Sequence, residues 1–427
     1  MRSVLLLQGP LGPFFQHFSR FLARQGIRVH KLNFNGGDES WSCSGSNISY
    51  RSSLVDWPAF LEKTIKRLQI DTVFCYNDCR LYHQYARQYC QEQNIRFYVF
   101  EEGYLRPDYI TLEPNGVNAH SPWYGRLEVL LSEELPVEKN DHFVINPTFN
   151  RRIGYAIRYY IFMQLYYRRF TYYQHHRSRT CLSEGLAWLK GFSTKYIYKG
   201  RDQHLKKRLI DKHSGHIFLA PLQVTDDFQV RVHSCFDDIS HFIRHSLESF
   251  ASHANENDVL VFKHHPMDRG YTSYKQLIKH ECERLNIEKR IFYGYELSLP
   301  ELYPHCKGVV TVNSTVGMSA LLHSVPTITL GKAIYDIPGL TSQNSLDQFW
   351  QQPYPVNIKL FKQLRGFMLK HTQINGSFYG SYQKTCEQIW QRLLVLDSFN
   401  TIHTSANNIG SQTDPLSVLA SLAKPAA

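Results

Sequence analysis

Short apolar runs alternate along this chain with longer stretches whose apolar positions recur every third or fourth residue, and the alternation occurs twice. In the first half, residues 4–7, 28–34, 72–76 and 96–100 read as strands, and residues 11–25, 57–68 and 81–93 as helices. Gly9-Pro10 turns the first strand into the first helix, and Asn35-Gly36-Gly37-Asp38 ends the second strand. The rhythm restarts after residue 215. Strands are predicted at 217–222, 259–263, 291–293, 308–312 and 327–330, and helices at 235–253, 274–285, 299–305 and 315–323. Strands joined through helices imply βαβ units and a parallel sheet. The pattern therefore predicts an α/β chain with two Rossmann-like parallel-sheet domains facing a cleft.

The domains are expected at 1–145 and 213–395, with a basic, aromatic helical segment at 146–212 between them and a loosely ordered tail at 396–427. Residues 151–180 hold seven Arg and seven Tyr and no acidic residue. Tyr155, Tyr159, Tyr160, Tyr166 and Tyr167, with Arg158, Arg168 and Arg169, are the residues expected at lipid headgroup level. The formal net charge is +11, which points to an anionic partner, and aromatic residues make up 14% of the chain. A basic chain rich in tyrosine suits a water–lipid interface. No recognised nucleic-acid motif accompanies the charge, so a nucleic-acid partner is not expected.

Nine cysteines lie scattered without a Cys-x-x-Cys pair, which argues against a disulfide framework or a zinc site. No run of about 18 apolar residues occurs, so a membrane contact would be peripheral. The short apolar run before Gly9-Pro10 reads as a buried first strand rather than a signal peptide.

The residues that could carry chemistry sit where predicted strands end, the edge at which open α/β sheets bind ligands. Glu101-Glu102-Gly103 follows the apolar run 97–100. A carboxylate there can serve as general acid or base, and the glycine lets the backbone turn. Lys263-His264-His265-Pro266 closes a strand, offering an imidazole and a point charge for phosphate or carboxylate. Asn313-Ser314-Thr315-Val316-Gly317 opens a helix whose first amides can hold an anion. Gln223-Val224-Thr225-Asp226-Asp227 follows the first strand of the second half. Ser234, with Asp237-Asp238, reads as a cap followed by first-turn acids. No Asp-x-Asp in a post-strand loop calls for a metal ion, and no cofactor is expected.

The stretches Gln8-Gly9-Pro10-Leu11-Gly12-Pro13-Phe14-Phe15, Phe34-Asn35-Gly36-Gly37-Asp38, Glu101-Glu102-Gly103-Tyr104-Leu105-Arg106-Pro107, Lys263-His264-His265-Pro266-Met267-Asp268-Arg269-Gly270 and Asn313-Ser314-Thr315-Val316-Gly317 together resemble the capsule polysaccharide proteins of the KpsS type. The likeness spans roughly residues 3 to 380 and implies a GT-B-like arrangement. It implies a retaining β-Kdo glycosyltransferase that moves Kdo from CMP-Kdo to a phosphatidylglycerol-type lipid, beginning the poly-Kdo linker of a capsular polysaccharide. His265 would then contact CMP, with Lys263, His264, Pro266, Asn313 and Gly317 alongside, and Ser314 and Thr315 would hold the phosphate or the sugar carboxylate. Glu102 would be the general acid/base with Glu101 in reserve, and Asp227 the nucleophile, with Asp226 as its neighbouring alternative. Gln8, Gly9, Arg106, Gln223 and Arg269 are further substrate-binding candidates. The implied setting is the cytoplasmic face of the inner membrane of a Gram-negative-type bacterium, with an anionic phospholipid acceptor and other capsule synthesis or export proteins as partners. An inverting CMP-sialic acid-type transferase and a non-catalytic assembly or export scaffold are the alternatives.

Overall fold

A computed structural model describes residues 1–126, 142–146, 148–174, 181–225 and 228–407. The chain divides into two compact units. The first comprises Met1–Val117, Glu133–Gln174 and Gly366–Ala427, and the second Asn118–Ser132 and His175–Arg365.

In chain order the strands are β1 (Ser3–Leu6), β2 (Arg28–Asn33), β3 (Ser46–Ser49), β4 (Thr72–Tyr76), β5 (Arg96–Glu102), β6 (Tyr109–Pro114), β7 (Ile217–Pro221), β8 (Val259–Lys263), β9 (Ile291–Gly294), β10 (Cys306–Thr311), β11 (Thr327–Thr329) and β12 (Gln373–Asn375). The first unit holds a seven-stranded sheet in the order β12-β6-β5-β4-β1-β2-β3, and the second a five-stranded sheet in the order β11-β10-β7-β8-β9. The five-stranded sheet is parallel throughout. The larger sheet is parallel from β5 to β3, while β6 and β12 add antiparallel. These are the two Rossmann-like units that the sequence pattern called for.

Parallel sheets bury both faces, which is why their strands read as continuous apolar runs. The period of two then divides one strand between two cores. Val4 and Leu6 enter a cluster with Phe14, Phe18, Phe74 and Phe100, while Leu5 and Leu7 join Phe34, Trp57, Val73 and Val99 on the other face. In the second unit, Phe218, Ala220, Leu260 and Phe262 pack with Phe242, Phe250 and Trp350, and Ile217, Leu219, Val259 and Val261 with Leu302 and Tyr303.

Three features differ from the sequence expectation. First, residues 366–395, expected in the second domain, lie in the first unit. Gln373, Ile374 and Asn375 pair antiparallel with Thr111, Ile110 and Tyr109. The Tyr382–Asn407 helix then lays Cys386, Ile389 and Leu393 in the same core as Val4 and Phe14. That helix also carries regular structure past residue 396, where a loose tail was expected. Second, the expected 146–212 segment divides: the Phe149–Leu165 helix belongs to the first unit and the Cys181–His213 helix to the second. Residues 175–180 of the basic stretch lie outside the described residues. Third, the helix expected from residue 235 starts at Ile239, because Asp238 is its cap and accepts from the His241 amide at 2.8 Å. Ser234 instead donates to the Val230 carbonyl.

Candidate functional site

Both sheets reverse their strand order once, and the reversal places a crevice at the carboxyl ends of two neighbouring strands. In the second unit the reversal falls between β7 and β10. The loops leaving those strands are tied together there. The Gln223 amide nitrogen donates to Asn313 Oδ1 at 3.0 Å, and the Asn313 backbone N–H donates to Gln223 Oε1 at 3.2 Å. Next to it, Thr225 donates from its N–H and its hydroxyl to Asp268 Oδ2 at 2.6 and 2.8 Å, joining the loop after β7 to the loop after β8. Three strand-end loops are thereby fixed relative to one another within this unit.

Ser314 is the N-cap of the Thr315–Leu322 helix, its side chain accepting from the Val316 N–H at 3.2 Å. Tyr335 donates to the Ser314 carbonyl at 2.5 Å and lies against Gly317, where an added Cβ would stand 2.1 Å from the phenol oxygen. Gly317 is thus a packing requirement beside the helix start. Thr315 is half-buried in the first turn. Lys263, the last residue of β8, is half-buried. Burial lowers its pKa to about 8, the nearby Arg269 charge pushes the same way, and Glu296 and Asp202 oppose it. An amine of that kind is a ready anion ligand below pH 8 and loses its charge above it.

The two histidines divide their roles. His264 is fully buried, ringed by Tyr274, Tyr293 and Tyr295, and its Nδ1 pairs with the Tyr293 hydroxyl at 2.7 Å. Burial lowers its pKa to about 4, so it is neutral at physiological pH and supports the loop rather than facing solvent. His265 is half-buried and caps the Pro266–Asp268 turn, its Nδ1 accepting from the Met267 N–H at 3.2 Å. Pro266 is the first residue of that turn, and Arg269 is ion-paired with Glu296. Asp226 and Asp227 lie outside the described residues.

In the first unit the order reverses between β1 and β4. Here the expected acidic pair is inside the strand, because β6 pairs alongside it, with Glu101 opposite Thr111 and Glu102 opposite Ile110. Gly103 does not supply an unusual turn. An added Cβ there would stand 2.3 Å from the Tyr109 carbonyl oxygen, so close approach of the β6 backbone demands glycine.

Successive side chains on a strand diverge, yet Tyr76 at the end of β4 senses both glutamates: burial chiefly, and then the charges of Glu101 and Glu102, raises its pKa well above the usual phenol range. Glu101 accepts from the Glu102 N–H at 3.0 Å, and Tyr76 hydrogen-bonds its carboxyl. Desolvation raises the Glu101 pKa to about 7; the charge of Glu102 adds to the rise, while Tyr76 and Arg80 oppose it. Glu102 accepts from the Tyr379 hydroxyl at 3.3 Å and pairs with Arg152 at 3.6 Å. The Arg152 guanidinium lies 4.6 Å from the centre of the Tyr379 ring. Arg80 stands over Tyr76 at 5.4 Å and donates to the Gly9 carbonyl at 3.4 Å.

Gln8 is not open to a substrate. It is 4% exposed and donates to Asp38, Tyr159 and Tyr173 in a buried network. Arg106 is exposed and donates to the Gly103 carbonyl at 3.2 Å. Sequence reasoning missed Tyr76, Arg80, Arg152 and Tyr379. Extending the strand-end rule to the loop after β4 would have flagged Arg80, whereas Arg152 and Tyr379 reach Glu102 from distant segments with no local signal.

A family model described as "Capsule polysaccharide biosynthesis protein" matches residues 71–379. The chain belongs to this family. Within it, the chain is 38% identical over 384 residues to the capsule polysaccharide export protein KpsS of Escherichia coli, covering 88% of this chain and 97% of that protein. It is also 38% identical over 383 residues to the capsule polysaccharide modification protein LipB of Neisseria meningitidis serogroup A, covering 88% and 91%. Among solved structures, KpsC of Thermosulfurimonas dismutans, a beta Kdo 2,7 transferase, aligns with a TM-score of 0.44 at 15% identity, covering 92% of this chain and 99% of that chain. The family match takes in the acidic pair, the Lys263–Gly270 loop and the Ser314 helix start alike.

Proposed function

We propose that this capsule-family chain is a glycosyltransferase that moves Kdo, with retention, from CMP-Kdo to a phosphatidylglycerol-type lipid. The product would begin the poly-Kdo linker of a capsular polysaccharide. The observation that carries this reading is the set of groups at the carboxyl edge of the second unit's sheet, around β7 and β10. There the Gln223–Asn313 tie, Lys263 and the capped helix start at Ser314 converge on one sheet edge. That set offers a charge and helix-start amides to a nucleotide phosphate or a sugar carboxylate. His265 and Thr315 are the neighbours that would contact the CMP moiety and its phosphate.

Chemistry with retention needs two displacements. In the first, a carboxylate oxygen of Asp227, or of Asp226 beside it, attacks the anomeric carbon while the bond to the phosphate oxygen breaks and its electron pair leaves with CMP. In the second, the lipid hydroxyl oxygen attacks that carbon, the bond to the aspartate breaks, and a glutamate takes the hydroxyl proton. Glu102 is the family-matched candidate for that proton. Glu101, which burial raises to about 7, is suited to proton transfer near neutrality. The protein would work peripherally at the cytoplasmic face of the inner membrane, alongside other capsule synthesis and export proteins. Among the described residues, no helix is long and apolar enough to cross a membrane.

The test is incubation with CMP-Kdo and a fluorescent phosphatidylglycerol analogue, read by mass spectrometry. The expected product is heavier by one Kdo, and Asp227→Ala should abolish it while leaving CMP binding intact. No mass gain, with a working Kdo transferase run alongside, would sink the proposal. Transfer from CMP-sialic acid with inverted anomer would favour the inverting alternative, and capsule retained by cells carrying Glu101→Ala, Glu102→Ala and His265→Ala together would favour a scaffold.

A further inference from the structure

The Phe149–Leu165 helix is held to the first sheet by its polar and aromatic face, which leaves an aliphatic ridge outward. Tyr159, 5% exposed, turns inward, and its hydroxyl accepts from Asn35 at 2.7 Å and from Gln8 at 3.1 Å. Gly36 and Gly37 allow the contact: an added Cβ would stand 2.2 Å from the Phe162 carbonyl oxygen at the first and 2.5 Å from the Tyr159 ring at the second. Tyr155 hydrogen-bonds Tyr382. Arg158 donates to the Ser40 carbonyl at 2.7 Å, and Arg169 pairs with Glu39 at 3.1 Å. Much of the set expected to meet headgroups therefore docks the helix instead.

What faces out is a different set. Ile157, Ile161 and Leu165 recur every fourth residue and are 51%, 47% and 69% exposed, and Tyr167 and Tyr172 beyond them are 60% and 61% exposed. From Phe149 to Gln174 there are five arginines and no acidic residue. Arg151, near the start of this helix, and Arg168, just past its end, are exposed. An apolar ridge flanked by arginine, with tyrosine at its end, has the composition of a helix lying in the plane of an anionic membrane surface. The same helix carries Arg152 in its first turn, 3.6 Å from Glu102. Arg152 to Leu165 spans roughly 20 Å at the α-helical rise.

We infer that the Ile157–Ile161–Leu165 ridge is the surface on which this protein lies on an anionic phospholipid bilayer, the helix in the membrane plane and its first turn carrying Arg152, beside Glu102, along that same surface. This rests on the lipid-acceptor reading above. Arginine supplies attraction to the headgroups, the ridge supplies burial among the acyl chains, and the buried network behind Tyr159 keeps the helix rigid on the sheet.

Flotation of the full chain with vesicles of phosphatidylcholine alone, or mixed with phosphatidylglycerol, tests it. Wild-type protein should float with the mixed vesicles. The triple variant Ile157→Ser, Ile161→Ser, Leu165→Ser should lose about tenfold or more in partitioning. Its melting curve and its CMP binding should not change. The variant Ile157→Leu, Ile161→Leu should float like wild type, and Leu165→Ser alone serves if the triple variant melts early. Undiminished flotation of the serine variants, or no flotation of wild type, overturns the inference. So does a shift from dimer to monomer in light scattering with flotation unchanged, since that marks a protein interface. Transfer to a water-soluble short-chain phosphatidylglycerol separates the two claims. Flotation without such transfer removes the catalytic proposal and leaves the surface; transfer without flotation does the reverse.

Discussion

The two sheets place their candidate residues by the same rule and give them opposite character. Each reverses strand order once, between β1 and β4 in the first unit and between β7 and β10 in the second, and each collects polar side chains at that edge. In the second unit the edge carries Lys263, neutral amide ties and a helix start, a set that attracts anions. In the first it carries two carboxylates, Tyr76, Tyr379, Arg80 and Arg152, a set that can hold and move a proton. Topology selects the place, and residue type selects the chemistry. A parallel sheet leaves its carboxyl-end loops free of ladder bonds, so those loops can vary without disturbing the core.

The sharpest break in this comparison is Glu101→Gln. Because burial raises Glu101 to about 7, the wild-type carboxylate is charged only above that pH, so a base-assisted rate should rise through pH 7. The variant should lose on the order of 100-fold in turnover together with that rise, whereas Glu102→Gln should keep the rise. The reverse result would return the proton-transfer role to Glu102. The folded protein also holds this proton where the unfolded chain releases it near 4.5, so stability should fall between the two values as pH increases. A melting series of the glutamine variant, lacking that fall, checks the sign.

A smaller effect is expected from Gln223→Leu, which removes both bonds to Asn313. Nucleotide affinity should drop about tenfold by titration calorimetry, matching roughly 1–3 kcal/mol for a broken buried pairing. Gln8→Leu, at the matching place in the first unit, should lower the melting temperature and leave nucleotide affinity alone. If Gln8→Leu weakens the nucleotide as much, the contrast between the two edges fails.

Smallest is Lys263→Met. Wild-type affinity for CMP should decline as pH rises through about 8, where Lys263 loses its proton. The variant should bind roughly fivefold more weakly below pH 8 and show no decline above it. A decline that survives in the variant would assign the titration to another group.

Much of this was legible in the chain itself. The apolar runs located nine strands, since a strand buried on both faces must be apolar at every position. The strands left out, β3, β6 and β12, are at or near the sheet's edges, where Ser46–Ser49 and Gln373–Asn375 carry polar residues and the apolar signal is weak. The strand-end motifs do lie at the carboxyl ends of their strands, and among them Gln8 and His264 are buried and hydrogen-bonded within the fold. Their residue types suit packing or chemistry, and only burial separates the two.

By itself, then, the sequence determined the two parallel sheets, the strand ends at which the candidate residues sit, and membership of the capsule family, because these depend on local periodicity and contiguous motifs. The tertiary structure alone decided that the chain's end returns to the first sheet, that Tyr379 and Arg152 flank Glu102, and that the basic helix turns Tyr159 inward and Ile157 outward. Each of these joins residues far apart in the chain, or chooses between faces of one helix, and such choices are made by packing energy, which no local pattern records.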